Sequence, residues 1–305
     1  MIVDFHCHST ASDGTCAPRE IAERAEKGGF AVLALTDHDN CDGVKELLSV
    51  QGAGTRLVAG IELSIDPGEG FDRFHLLGLG IDPDNEELKA FLKKILDGRN
   101  ARNSRIIANF RRLGIEMEHL ESDNPSIKQS NKSNNQTIFA YAHGDVLARP
   151  HFGRWLMDHG YVASVKEAFD RYLADDAPAE TRCYEERFHP SQEEAFRIIH
   201  GAGGLCVMAH PKYWRRYWKE TGPEYAAAER ELARLKEVGL DGIEAIYQAN
   251  TVEEDVQFQR IADRLGYLKT AGSDFHGANK PQIHLGMEVP ESYISPFLER
   301  LNLVQ

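Results

Sequence analysis

The sequence predicts an α/β fold, a parallel sheet or barrel interrupted once by a helical insertion. Three observations predict it. Apolar runs of strand length recur along the chain, helical stretches lie between most of them, and the stretch from about Asp84 to Glu186 carries no strand pattern. Taken in order, Ile2–His8 is a nearly continuous apolar run, the pattern of a strand covered on both faces. Pro18–Lys27 reads as a helix, with Pro at its first position and Gly28-Gly29 at its end. Ala31–Thr36, Leu57–Ser64 and Phe74–Ile81 are further strands. The pattern then changes to a long helix over Glu86–Leu113 and shorter ones over His151–His159 and Ser164–Leu173. Between these, Glu121–Thr137 has Ile127 as its only aliphatic residue and is rich in Asn, Ser and Gln, which marks a surface loop. Ser191-Gln192-Glu193-Glu194 is a capping-box pattern opening a helix that ends near Gly203-Gly204. Leu205–His210, Gly242–Tyr247 and Leu268–Ser273 complete the strands, with helices over Pro223–Val238 and Val252–Leu265, each followed by Gly. The expected organisation is an α/β body in two parts, residues 1–83 and 187–305, with a helical cap over 84–186.

The 305 residues are 42% hydrophobic and 27% charged, the balance of an ordinary soluble globular chain. Against 35 Lys+Arg stand 48 Asp+Glu, a net charge of −13, which argues against coating duplex DNA but leaves room for a local basic site. Five scattered cysteines form no C-x-x-C pair, so no disulfide framework is expected and a reducing compartment is. No basic segment precedes an apolar one at the start, and no apolar run reaches membrane length. The expected location is the cytoplasm, with no membrane partner.

The chemistry-bearing residues fall at strand ends. His6 and His8 end the first strand, His38 follows the second, Glu62 lies in the third, His75 opens the fourth, His210 ends the fifth, and Asp274 and His276 follow the seventh; Asp13 sits in the loop after the first. In a barrel of this type the C-terminal strand ends converge on one face. His75 fits that rule only if its strand runs antiparallel. Any one of these histidines alone reads more simply as a structural, hydrogen-bonded residue. Their recurrence on separate strands points to metal, because nine clustered imidazoles and carboxylates leave many buried polar groups unsatisfied without cations. Nitrogen and oxygen donors without thiolate suit Mn, Fe or Zn. Nine ligands imply two or three divalent ions, with Glu62 as a bridge. Cys7, on the opposite side from both histidines, reads as a small core residue facing the helices.

The segments "DFHCHSTASDG", "LALTDHD", "GIELS", "FHLLGLGID", "VMAHP" and "GSDFHG" run in order from residue 4 to residue 277 and resemble the PHP (polymerase and histidinol phosphatase) family. "LDGRNARN" and "ARPHFGRWLMDHG" resemble bacterial PHP phosphoesterases that act on nucleoside 3′,5′-bisphosphates and on 5′-ends of short RNA. The resemblance implies a distorted seven-stranded (β/α) barrel and a trinuclear site. It implies His6, His8, Glu62 and Asp274 around one ion, Glu62, His75 and His210 around a second, and Asp13, His38 and His276 around a third. It also implies that Arg99, Asn100, Arg102 and His151 contact substrate phosphate. Arg99 and Arg102 share a helix face, and paired guanidiniums suit phosphate; a solvated helix face is the bland alternative. After His210 this chain departs from those relatives, which carry a Gly-Arg-Tyr-like stretch where it has Lys212-Tyr213-Trp214-Arg215-Arg216-Tyr217-Trp218-Lys219. That run reads equally well as a base-stacking surface and as a packed cap with snorkelling cations.

The expected activity is hydrolysis of a nucleotide-type phosphate ester by in-line attack of a hydroxide bridging two ions. His151 or a metal-bound water would protonate the leaving oxygen, and Asp274 would orient the hydroxide or accept its proton. A nucleoside 3′,5′-bisphosphate is the first expected substrate and a 5′-phosphorylated short RNA the second. A cyclic phosphodiester, histidinol phosphate, or a non-catalytic metal- or nucleotide-binding module are the alternatives.

Overall fold

The computed structural model describes residues 1–50, 52, 54–68, 72–117, 138–141, 146–214, 218–219 and 222–302. The loop expected at Glu121–Thr137 lies outside them. The chain forms two compact units. The first comprises Met1–Ser9, Gly14–Leu92 and His189–Gln305, and the second Thr10–Asp13 and Lys93–Phe188.

The first unit is built on one sheet of eight strands: β1 (Ile2–Asp4), β2 (Val32–Leu35), β3 (Arg56–Ile65), β4 (Phe74–Leu79), β5 (Leu205–Met208), β6 (Gly242–Tyr247), β7 (Leu268–Gly272) and β8 (Met287–Glu288). Their order is β8-β1-β2-β3-β4-β5-β6-β7. β1, β2 and β3 are mutually parallel, as are β5, β6 and β7. β4 runs antiparallel to both its neighbours. Eight residues join β3 to β4, too few for a parallel crossover. The chain beyond β1 pairs with the chain beyond β7: Phe5 N–H donates to Ala271 O (3.0 Å), Asp274 N–H to His6 O (2.7 Å) and His8 N–H to Phe275 O (2.9 Å). These bonds close seven strands into a distorted barrel. β8, a two-residue strand that the sequence pattern does not announce, adds antiparallel to β1.

Alternation along the strands sorts the two sides. Val32 and Ala34 of β2, Val58 of β3, Leu77 and Leu79 of β4 and Val207 of β5 share one buried cluster. Leu33 and Leu35 belong to another, with Cys7, Ile21 and Ala22, which puts Cys7 on the helix side as expected. The interior cluster also takes in Tyr293, Ile294, Phe297 and Leu298, all from a helix over Glu291–Arg300 that the sequence reading did not anticipate.

Other helices of this unit follow their sequence signals. α1 (Pro18–Lys27) has Pro at its first turn; α2 (Asp42–Leu48), after β2, is a further helix that the sequence reading did not name. α3 (Glu86–Arg112) begins in this unit and continues into the second from Lys93. In the helix over Val252–Leu265, Glu254 N–H donates to Thr251 Oγ1 (3.2 Å) and Thr251 N–H to Glu254 Oε2 (2.7 Å), and Gly266 ends it in the left-handed conformation.

The second unit is helical and has no strand among its described residues. Lys93–Arg112 of α3 packs with α4 (Arg149–Asp158) through Phe110 and Phe152, whose rings stack with centroids 6.4 Å apart. Among the described residues, no helix of the chain is long and apolar enough to cross a membrane, and all five cysteines are free.

Phe297 meets Phe5 edge to face at 5.0 Å inside the barrel. Phe297→Ala is expected to destabilise the protein by about 3–5 kcal/mol, the usual cost of emptying a buried aromatic site. The check is a lower urea midpoint at unchanged slope.

Candidate metal centre

Strand alternation carries three of the expected ligands inward. His38 stands four residues after Ala34, Glu62 four after Val58 and His75 two before Leu77, so each keeps the inward parity of its strand. Because β4 is antiparallel, its first residues lie at the end where β3 finishes, with His75 opposite Ser64. The others arrive by breaking the pattern. β1, β5 and β7 stop short of the lengths read from sequence, and their tails are irregular. His210 has φ +26° and Asp274 φ +59°, left-handed conformations that non-glycine residues adopt only when their surroundings impose them. Backbone N–H groups there are claimed by buried carboxylates. His6 N–H (3.1 Å) and Ser273 N–H (3.0 Å) both donate to Asp4 Oδ1, and His210 N–H donates to Glu244 Oε2 (2.7 Å).

Glu62, 1% exposed, is the hub. Its Oε1 lies 2.8 Å from His75 Nδ1, 3.2 Å from His210 Nε2 and 3.4 Å from His6 Nε2. Its Oε2 lies 3.0 Å from His38 Nδ1 and 3.2 Å from His8 Nε2. Asp274 Oδ1 lies 3.4 Å from His8 Nε2, 3.3 Å from His276 Nδ1 and 3.7 Å from His6 Nε2. The donor atoms of His6, Glu62 and His210 fall within 4.8 Å of one another, as do those of His6, His8 and Asp274, and those of His8, His38 and His276. Eight of the nine expected ligands thus gather in the first unit. Asp13, the ninth, is buried on the four-residue turn between Ser9 and Gly14, which Gly14 N–H closes onto Ser9 O (2.9 Å). A side chain at Gly14 would collide with the His8 carbonyl.

Burial works against charge throughout this cluster; it prevails at His75, whose imidazole is held below its ordinary range, and is overruled by neighbours at Glu62, Asp274 and His6. The imidazoles of His38, His75 and His6 hold Glu62 well below the ordinary carboxylate range despite its desolvation. His6, His8, His276 and Lys280 do the same for Asp274. Glu244, Glu62 and Asp274 hold His6 well above the ordinary imidazole range.

The donors fit divalent metal. A carboxylate only accepts, so His6 Nδ1–H donates to Glu244 Oε1 (3.0 Å). In the neutral form that binding a cation requires, His6 turns the Nε2 lone pair toward Glu62 and Asp274; without a metal ion a proton on Nε2 takes that place. That nitrogen and Glu62 Oε2 are buried and have no hydrogen-bond partner. A cation between them removes both the orphaned atoms and the repulsion. A second group, His200, Cys206 and Asp241, lacks this signature. There His200 Nε2 and Cys206 N–H both bond Asp241 Oδ2, at 2.7 and 2.8 Å.

Sequence reasoning missed the residues that steer the ligands. Fully buried Glu244 holds the His6 ring and the His210 backbone, one with each oxygen. A Cβ on Gly272 would lie 2.1 Å from Glu244 Oε1, so only glycine lets that carboxylate reach His6. Tyr247 O–H (2.9 Å) and Lys280 Nζ–H (2.6 Å) both donate to Asp274 Oδ2, leaving Oδ1 to face the imidazoles. Asp37 accepts from Ser9 N–H (2.8 Å) and Ser9 Oγ–H (2.6 Å), anchoring the turn that carries Asp13. One signal was available for Glu244: an acid inside the apolar run Gly242–Tyr247.

The residues expected to contact substrate lie in the second unit. Arg99 and Arg102 are 6% and 3% exposed, far from the solvated helix face that was the bland alternative. Burial, with Arg99, Arg149 and Arg187 nearby, pushes the Arg102 guanidinium down to about 8, and its Nη2 has no hydrogen-bond partner. Asn100, expected beside them as a substrate contact, is exposed, on another face of the helix from Arg99 and Arg102. Asn103 occupies the buried place instead, accepting from Arg102 Nε–H (2.9 Å) and donating to Leu147 O (2.9 Å). His151 Nδ1 accepts from Ala148 N–H (3.0 Å), which leaves the ring proton on Nε2.

Glu244→Gln tests the steering of His6. An amide accepts through one atom only, so it meets the His6 and His210 N–H groups with one acceptor and one donor. Manganese affinity, measured by competition with a chelator, is expected to fall about tenfold or more; unchanged affinity would show that Glu244 has no such role.

Comparison with known proteins agrees with this geometry. The chain is 33% identical over 279 residues to a 3′,5′-nucleoside bisphosphate phosphatase from Chromobacterium violaceum, covering 90% of this chain and 87% of that one. It is 31% identical over 275 residues to a 5′-3′ exoribonuclease from Haemophilus influenzae, covering 90% and 89%. Among solved structures, an amidohydrolase from Chromobacterium violaceum with bound sulfate and no metal superposes with a TM-score of 0.77 at 29% identity, over 99% of this chain and 97% of that one. The PHP domain model matches residues 4–241, a span that holds seven of the nine clustered acids and imidazoles together with the helical insertion, and the chain belongs to the PHP domain family.

Proposed function

We propose that this protein is a metal-dependent phosphoesterase that hydrolyses nucleotide-type substrates, a nucleoside 3′,5′-bisphosphate first and a 5′-phosphorylated short RNA second. The observation that carries the reading is the pair of buried, unpartnered atoms, His6 Nε2 and Glu62 Oε2, at the centre of an all-nitrogen and oxygen donor set. His6, His8, Asp13, His38, Glu62, His75, His210, Asp274 and His276 hold two or three divalent ions, manganese first and iron or zinc as substitutes. Bound ions supply a hydroxide nucleophile at neutral pH and neutralise the phosphoryl oxygens as charge builds.

The protein's own groups do the rest. Arg99 and Arg102 take the second phosphate of the substrate, which gives the buried Arg102 Nη2 an acceptor. The 3′,5′-bisphosphate of the Chromobacterium relative has such a second phosphate by name. His151 donates a hydrogen bond to phosphate from Nε2. Its Nδ1 is taken by the Ala148 N–H, so the part it plays is hydrogen-bond donation from Nε2. Asp274 keeps Oδ1 as an acceptor that orients the attacking group, because Tyr247 and Lys280 occupy Oδ2. Five free cysteines suit a reducing cytoplasm.

With manganese added, the protein is expected to release phosphate from adenosine 3′,5′-bisphosphate and to lose that activity on chelation, as followed by phosphate release. No turnover of any bisphosphate, RNA end or generic ester at saturating metal would overturn the reading. Arg102→Ala is expected to lower the ratio of kcat/KM for the bisphosphate over that for p-nitrophenyl phosphate at least tenfold, since the generic ester has no second phosphate to anchor. An unchanged ratio would remove Arg102 from substrate binding.

A further inference from the structure

We propose that Tyr213 is the platform on which the substrate's nucleobase stacks, beside the metal centre. The inference rests on the nucleotide reading above and specifies which part of that substrate the first unit recognises.

A cleft of about 250 Å³ in the first unit is walled by Arg73, Tyr213, Trp214 and Lys280 together with His75, His210 and Asp274, three of the candidate ligands. A group bound there touches the ligand wall itself. The volume is below the roughly 300–1,000 Å³ of pockets that enclose whole drug-sized molecules, and it suits one ring system. Arg73 and Lys280 stand at the cleft, each paired with a carboxylate, Asp66 at 3.1 Å and Asp274 at 2.6 Å, so what selects the ring is the phosphate ester it carries to the adjoining ligand wall.

The sequence left the run Lys212–Lys219 divided between stacking surface and packed cap, and the structure divides it by residue. Trp214 is a packed residue, 3% exposed, with Nε1–H donating to Asp72 O (3.3 Å). Tyr213, its neighbour, is 54% exposed. Arg215, Arg216 and Tyr217 lie outside the described residues.

A lone exposed tyrosine is ordinary; this one is held in place. Tyr213 N–H donates to His210 O (3.0 Å) in the short turn Pro211–Tyr213, directly after the left-handed residue His210. One backbone reversal therefore aims the His210 ring at Glu62 and sets Tyr213 over the cleft. The rings that meet Tyr213, His210 at 5.3 Å and Tyr247 at 5.9 Å, are inclined to it by 62° and 80°, so neither stacks on it; Lys212 Nζ lies over one face, 5.9 Å from the ring centroid. A rigid, exposed aromatic beside a phosphate-ester centre is what a nucleobase stacks on, and such stacking tolerates any base.

The test compares two substrates in the manganese-loaded full chain: adenosine 3′,5′-bisphosphate and the same sugar bisphosphate without its base, 1-deoxyribose 3,5-bisphosphate. The readout is the ratio of their kcat/KM values, in which any shared effect on the metal centre cancels. Wild type is expected to favour the nucleoside about tenfold. Tyr213→Ala is expected to bring the ratio near one, and Tyr213→Phe or Tyr213→Trp to keep it. A ratio near one in wild type, or one unmoved in Tyr213→Ala, overturns the stacking role while leaving the phosphoesterase reading in place. Hydrolysis of neither bisphosphate by wild type overturns both. A second measurement reads binding alone. In the zinc-loaded protein, saturation transfer to the adenine protons of adenosine 5′-monophosphate is expected in wild type and lost in Tyr213→Ala; equal transfer in the two overturns the proposal.

Discussion

One buried carboxylate organises this protein. Glu62 is enclosed in β3 with five imidazoles around its two oxygens. An isolated carboxylate at such a place would cost several kcal/mol in lost hydration. Neutral imidazoles do not repay that, because several of their nitrogens turn lone pairs toward the same point. The arrangement is stable only with positive charge in the middle, as protons or as metal ions. The barrel around it can be understood as the frame that forces these groups together: a ten-residue β3, an antiparallel β4 that delivers His75 to the same end, and a closure between the tails of β1 and β7 that brings His6, His8 and Asp274 to the same rim.

Around this cluster lies a layer of groups that fix orientation. Glu244, Asp4 and Asp37 are buried acids, and each accepts from backbone N–H groups that regular strands would have bonded to one another. The irregular tails are thereby stabilised, and positive φ at His210 and Asp274 becomes tolerable. Strain at the rim is thus offset by carboxylates one layer further out, the same carboxylates that set ring tautomers and point lone pairs inward. Glu244 does both, since one oxygen orients the His6 ring and the other fixes the peptide that turns His210. The second unit buries charge of the opposite sign: Arg99 and Arg102 lie buried on one helix face, and burial together with the neighbouring Arg99, Arg149 and Arg187 lowers the Arg102 guanidinium.

The sequence by itself determined the alternation of strands and helices, because covered strands and capped helices leave local signatures of apolar runs, Pro, Gly and Ser. It also determined the identities of the clustered acids and imidazoles, since polar residues at the ends of apolar strands are conspicuous wherever they pair. His38 and Glu62 keep the inward parity of their strands, and His75 does so at the same end only because β4 runs antiparallel. His210 and Asp274 were not placed by parity; only the tertiary structure decided them, through backbone reversals that depend on Glu244 and on the β1–β7 closure, partners more than thirty residues away in sequence. The steering residues Glu244, Tyr247 and Lys280, the exposure of Asn100 and the separate fates of Tyr213 and Trp214 belong to the same class. Each is a matter of which distant group a side chain meets, and local pattern carries no record of that.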